Sequence, residues 1–267
     1  MNLSLIVGLV LASLTIWFGV FQSVKDPKFY LDSHALILVL GGTLAATFIG
    51  FPLSRVWELF GTLKRWFLRS KTPDYRIVEE LYEVALYYRK YKDLLSSVEF
   101  SHPFIREGFE FVKSQKFNEK QVQEILLKRI MGFKKQMQED AKMLSAMAKY
   151  PPAFGLLGAS TGMIAMMLNL NQGGSKSVGP ALAIALVATF WGIALANLVL
   201  LPLADFANKV AQEDSHTRLL IMEGLLLVKR NEDPLVIVEQ LKSYLHPSER
   251  SKVKVLRGLD LSDRGAA

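Results

Sequence analysis

The stretch Lys149–Gly162, KYPPAFGLLGASTG, places Pro151 and Pro152 at the mouth of an apolar run and then adds the hydroxyls of Ser160 and Thr161. A second apolar run, Val178–Ala204, carries Thr189, Asn197 and Pro202. Hydroxyls and amides can bind water or help ligate a cation, but none of them titrates. Proton relays through a membrane use Asp, Glu or His inside the spans. Neither run contains any of these, and His34 sits only at the boundary of another run. If protons pass this chain, the titrating carboxylate must therefore come from a different polypeptide. The sequence shows no pattern for an enzyme: there is no nucleophile–base pair, metal cluster or phosphate loop, and Ser160 has no base in its span. Cysteine is absent, which excludes disulfides and thiolate metal sites, and the four histidines (His34, His102, His216, His246) form no ligand spacing. No cofactor is expected, and each histidine reads as structural or interfacial.

The elements that position these residues follow from hydropathy. The hydrophobic fraction is 51% in 267 residues, too high for an ordinary soluble chain and too low for spans alone. Four apolar runs, Leu3–Val24, His34–Leu53, Pro151–Asn169 and Val178–Ala204, have uncharged interiors. Each reaches or approaches the roughly 20 residues that cross a bilayer core. The first has no basic n-region and no A-x-A site before Lys25, so it reads as a retained span. Basic residues number 19 in Ser54–Lys149 and 10 from Asp205 onward, against three in the two short connectors. The large loop and both termini are therefore expected in the cytoplasm. The net charge of +7 reads as topology and contact with anionic lipid, not nucleic-acid binding.

The expected fold is all-α: an integral membrane protein with four transmembrane helices and long helices extending into a cytoplasmic helical domain. Its parts are a hairpin over 1–53, an interfacial helix and cytoplasmic domain over 54–149, a second hairpin over 150–204 and a cytoplasmic tail over 205–267. Trp57, Phe60, Leu63 and Phe67 recur at helical spacing beside Lys64, Arg65 and Arg69, which predicts a helix lying in the membrane interface. Thr72-Pro73-Asp74 breaks it and caps a helix over Tyr75–Tyr91. Asn118 and Gln121 resemble a capping box. From there a stripe from Val122 to Ala148 predicts one helix with no breaker before Pro151, reaching about 45 Å from the membrane. The fourth span is expected to continue to about Asn231, followed by a short amphipathic helix from Asp233 and a frayed segment from Ser248.

Gly155, Gly158, Ala159 and Gly162 in the third span, and Ala188, Gly192 and Ala196 in the fourth, place small residues on close-packing faces. Packing alone explains them, and so does room for water or a partner helix. A lone hydroxyl can be satisfied by its own backbone, so the group of Ser160, Thr161, Thr189 and Asn197 is more informative than any member. Pro152 is tolerated at a first helical turn. Pro202 lies within a helical line, where it should kink the helix and free a carbonyl.

On these motifs, with LLIMEGLLLVKRNEDPLVIVEQLKSYL in the tail, the chain resembles the flagellar-motor stator A subunits of the MotA/PomA type, over nearly its whole length. More distantly it resembles the ExbB/TolQ energisers. The resemblance implies a ring of A subunits, five in known members, in the inner membrane around two copies of a MotB/PomB-type B subunit whose membrane helix carries an essential aspartate. It implies that ion flow turns the ring against a FliG-type rotor protein. Pro152 and Pro202 match the family's two functional prolines, and Thr189 its path-facing hydroxyl. Ser160 and Thr161 join the path by proximity. Sodium-driven members carry Thr where Ala159 stands, so the resemblance implies H+ as the transported ion, with Na+ the alternative. At the rotor contact Arg89 matches, whereas the nearest acid, Glu99, is ten residues on instead of eight. Rival readings are an ExbB/TolQ-like energiser, against which the extra Leu3–Leu53 hairpin argues, and a non-conducting membrane scaffold.

Overall fold

The computed structural model describes residues 3–23, 30–68, 72–91, 100–114, 116–171 and 178–254, and every regular element among them is helical. The chain forms two compact units, one of Met1–Ser70 with Gln136–Ala211 and the other of Lys71–Lys135 with Gln212–Ala267. It passes between them within helices α7 (Glu119–Met147) and α10 (Leu201–Lys229).

The first unit is apolar. Helix α1 covers Leu3–Ser23. The next helical run begins where Asp32 accepts a hydrogen bond from the Ala35 amide at 2.9 Å. It comprises α2 (Ser33–Leu36), a π turn (Ile37–Gly41) and α3 (Gly42–Gly50), and ends at extended Phe51 before Pro52. Three helical stretches, Ser33–Gly50, Glu119–Leu168 and Val178–Lys229, are long and apolar enough to cross a membrane. Helix α4 (Leu53–Leu68) carries one broad apolar side, part of which is covered. Val56, Leu59 and Thr62 are buried, while Trp57 and Phe60 of the expected interfacial stripe are exposed. Arg55 fixes α4 with hydrogen bonds to Glu58 and, at 2.9 Å, to Glu139 of α7.

Helix α7 stops at Met147, and α8 (Tyr150–Asn171) starts three residues later. The unbroken line expected up to Pro151 is interrupted because Pro151 and Pro152 bring no N–H to the preceding turn. Ala148 and Lys149 close it with bonds to Leu144 and Ala146. Helix α9 (Val178–Ala194) pairs with α8 and runs through a second π turn (Leu195–Leu200) into α10.

In the second unit, α5 (Asp74–Tyr91), α6 (Pro103–Lys113), the start of α7, the end of α10 and α11 (Pro234–Lys242) share one apolar core, in which Ile77, Leu81, Ile105, Leu126, Leu225 and Leu241 are fully enclosed. The capping box forms as expected: Gln121 N–H donates to Asn118 at 2.8 Å, and Gln121 accepts from the Asn118 amide at 2.9 Å. Helix α10 ends in a Schellman motif. Asn231, at φ 61°, lets its amide reach Val228 O while Glu232 bonds Leu227 O. Two features depart from the sequence reading. Helix α6 is new, because its N-cap is His102, whose Nδ1 accepts from the Phe104 amide at 3.1 Å, and histidine is an uncommon cap. The segment from Ser248 was expected to fray, yet Pro247–Arg250 forms a helical turn, α12, capped by His246.

Candidate functional site

Helices α8 and α9 approach so closely that glycine is required on both. A Cβ on Gly155 would lie 2.9 Å from the Ala188 carbonyl oxygen, and one on Gly192 would lie 2.5 Å from the Pro151 carbonyl oxygen. On Gly158 and Gly162 it would meet the methyl groups of Ala188 and Ala185 at 2.6 and 2.8 Å. The expected small-residue faces are thus brought together, with Ala188, Gly192 and Ala196 all buried. Pro152 and Ala159 are half-buried beside this seam.

Thr189 sits at the seam. Its hydroxyl donates to Ala185 O at 3.2 Å and lies 3.5 Å from Gly155 O on the facing helix. Ser160 and Thr161 turn elsewhere, donating to Leu156 O and Gly158 O. Ser160 lines an open apolar hollow with Met163, Ile164, Met167 and Leu168, so it does not converge with Thr189. The sequence reading missed Thr43 and Thr47, buried hydroxyls of the second helical run that donate to Val39 O and Thr43 O. Their i,i+4 spacing was the available signal. Each of these hydroxyls has given its proton to a backbone carbonyl, so at half-buried Thr189 only lone pairs remain to face a neighbour. Such a surface suits water, a proton donor or a cation and disfavours an anion.

Pro202 is exposed at the start of α10, directly after the second π turn. The predicted kink is a local widening: Leu201 N–H bonds Ala196 O, five residues back, which makes room for the proline ring.

Arg89 lies in the second unit, near the end of α5. Its guanidinium donates to Asp233 at 3.1 Å, and Asp233 also accepts from the Leu235 amide to cap α11. The cap and then Arg89 hold the Asp233 carboxyl below its ordinary range. Glu99, the other expected rotor residue, lies outside the described residues. Arg230 likewise lowers the Glu119 carboxyl through a hydrogen bond at 2.8 Å. Carboxyls depressed in the folded state contribute stability above their unfolded values, and that contribution disappears as pH falls through the folded ones. The helical signal of the purified protein is therefore expected to weaken below about pH 4. A circular-dichroism titration that stays flat to pH 2 would exclude these pairs as contributors.

Among the described residues, no cluster of His, Asp and Glu is arranged to hold a metal ion. Of the buried acids, Asp214 is held structurally: it accepts from Arg218 Nε at 2.6 Å and lies 3.7 Å from His102. Arg218 in turn stacks over Phe133 and Phe104.

Among the described residues these features define an all-helical protein with three stretches long and apolar enough to cross a membrane, an uncharged, closely packed helix pair and a second helical unit with its own core. Residues 96–218 match the model of the MotA/TolQ/ExbB proton channel family. The YtxD protein of Bacillus subtilis is 26% identical over 92% of this chain and 91% of its own length. The chemotaxis protein PomA of Vibrio alginolyticus is 26% identical over 83% and 87%. In fold, the chain is similar to the flagellar MotAB stator complex from Bacillus subtilis, with a TM-score of 0.83 at 23% identity, covering 94% of this chain and 98% of that one.

Proposed function

We propose that the chain is the A subunit of a flagellar-motor stator, converting ion-motive force into torque on the rotor. The observation that carries this reading is the α8–α9 seam, a tight hairpin with polar lone pairs and no acid of its own. It is built to work beside a carboxylate that another chain supplies. Similarity to PomA and to the MotAB fold supports the motor branch of the family. Deleting the gene is expected to leave flagella assembled but paralysed. Normal swimming of the deletion strain, with no second stator present, would overturn the assignment.

In this reading α1 is a fourth span beside the three apolar stretches. Both termini and residues 54–149 are cytoplasmic, as the distribution of basic residues supports. Residues 1–53 and 150–204 form the membrane hairpins, and 205–267 the tail. The chain assembles as a ring of five around a MotB-type subunit that carries the membrane aspartate. Arg89, with Glu99, faces a FliG-type rotor protein, and Pro152, Ala159, Thr189 and Pro202 line the ion path, while Ser160 and Thr161, which turn away from the seam, stand beside it. The transported ion is H+, since Ala159 withdraws one oxygen ligand that a bare Na+ would use. Collapsing the proton and sodium gradients separately while recording swimming speed tests the choice.

Replacing Thr189 with Val keeps the shape and removes the seam hydroxyl. Swimming speed is expected to fall several-fold with the protein at its normal membrane level. Unchanged speed would favour the non-conducting scaffold. The ExbB/TolQ alternative predicts a different co-purifying partner, one without a peptidoglycan-binding domain.

A further inference from the structure

Asn197 is the one polar side chain on the outward stripe of the fourth helical line, where Leu182, Leu186, Ile193 and Leu201 are also exposed. An amide facing hydrocarbon is costly, so this point of the stripe faces something polar. Asn197 Nδ2 donates to Ile193 O at 3.0 Å, which fixes the amide with Oδ1 directed away from that bond. The main chain adds a second acceptor. In the π register Leu201 N–H bonds Ala196 O, so the amide due at the Asn197 carbonyl belongs to residue 202, and residue 202 is proline. One residue thus presents two oxygens, its amide Oδ1 and its own carbonyl, each lacking a donor from the helix.

We propose that Asn197 is an ion-path residue whose paired oxygens hold the protonated carboxyl group of the partner subunit's membrane helix. This inference rests on the stator reading above. A neutral carboxylic acid can donate its O–H to either oxygen and accept from the remaining Nδ2–H. A carboxylate can accept from that one N–H but has no proton to give, and it otherwise meets two acceptors. The site therefore favours the proton-loaded acid and raises its proton affinity while the two are in contact. Among the described residues of the elements packed here, no carboxyl or imidazole competes for that proton. Helices α1, α8 and α9 pack against this π turn, and the only titratable side chain among their described residues is Tyr150. Along its own helix the first charge is Asp205, eight residues on.

The test uses the complete stator in a motile strain, reading torque against pH together with membrane level. Asn197→Ala removes the side-chain oxygen with little risk to the helix. It is expected to lower torque at neutral pH and to move the torque profile about one unit toward acid, a tenfold change in proton affinity. Asn197→Ser keeps an outward lone pair, as Thr189 does, and is expected to recover most of that shift. An unshifted profile for Asn197→Ala at normal membrane level would overturn the inference. So would an equal torque loss in both variants with the profile unmoved, since packing alone would then explain it. In either case a paralysed deletion strain, rescued by the wild-type gene, leaves the stator assignment standing. A normally swimming deletion strain would instead remove that assignment and this inference together.

Discussion

Replacing Gly192 with leucine is expected to abolish function by dismantling the α8–α9 pair. A Cβ at this position would sit 2.5 Å from the Pro151 carbonyl oxygen and 3.1 Å from Gly155 Cα. Both obstacles are backbone, so no rotamer change relieves the clash and the helices must part. Overpacking typically costs 1–3 kcal/mol, and against rigid backbone a loss of about 3 kcal/mol or more is expected. Separation would also move Thr189 away from Gly155 and dismantle the seam. The matched control is Gly61→Ala in α4, where a Cβ meets nothing within 4 Å. There the gain in helix propensity should leave stability unchanged or raise it by about 0.5–1 kcal/mol. Thermal unfolding of the detergent-solubilised protein reads both. If Gly192→Leu melts with the wild type, the close approach described here does not exist in the membrane.

The second large effect is expected at Asp214. Its side chain is 2% exposed and that of Arg218 is 17% exposed, so alanine at 214 would strand an enclosed guanidinium between two phenylalanine rings. Breaking a buried ion pair from one side typically costs about 3–5 kcal/mol, far more than the pair contributes against an apolar replacement. Asp214→Ala should therefore reduce accumulation of the protein and lower its melting temperature, whereas Asp214→Ala with Arg218→Met should recover part of the loss. A double variant as unstable as the single one would show that Asp214 acts through other partners. The exposed pair Arg89–Asp233 is expected to behave differently, because solvent screens it and breaking it strands no buried charge.

Much of this arrangement is legible in the chain itself, for a local reason. Apolar runs of span length, the Asn118–Gln121 capping box, the arrest near Asn231 and the small residues at i,i+4 are encoded by neighbours along one helix. Helix propensity, capping and backbone hydrogen bonding act over the same few residues. The want of an acid in the spans is likewise a property of composition, and it calls for a second polypeptide whatever the packing.

Tertiary structure decided what depends on residues distant in sequence. That Gly192 meets Pro151, that Ser160 and Thr189 diverge and that Asp214 lies between His102 and Arg218 are matters of which helix faces meet. Periodicity marks a face as apolar without naming its partner, as α4 shows by burying Val56 and Leu59 and leaving Trp57 exposed. The π turn before Pro202 belongs to the same class. A proline guarantees a missing amide, but whether the helix kinks, breaks or widens depends on the packing that α1, α8 and α9 impose on that turn. Sequence specifies hydrogen-bonding capacity residue by residue, and only the packed fold determines which of those bonds remain open to another molecule.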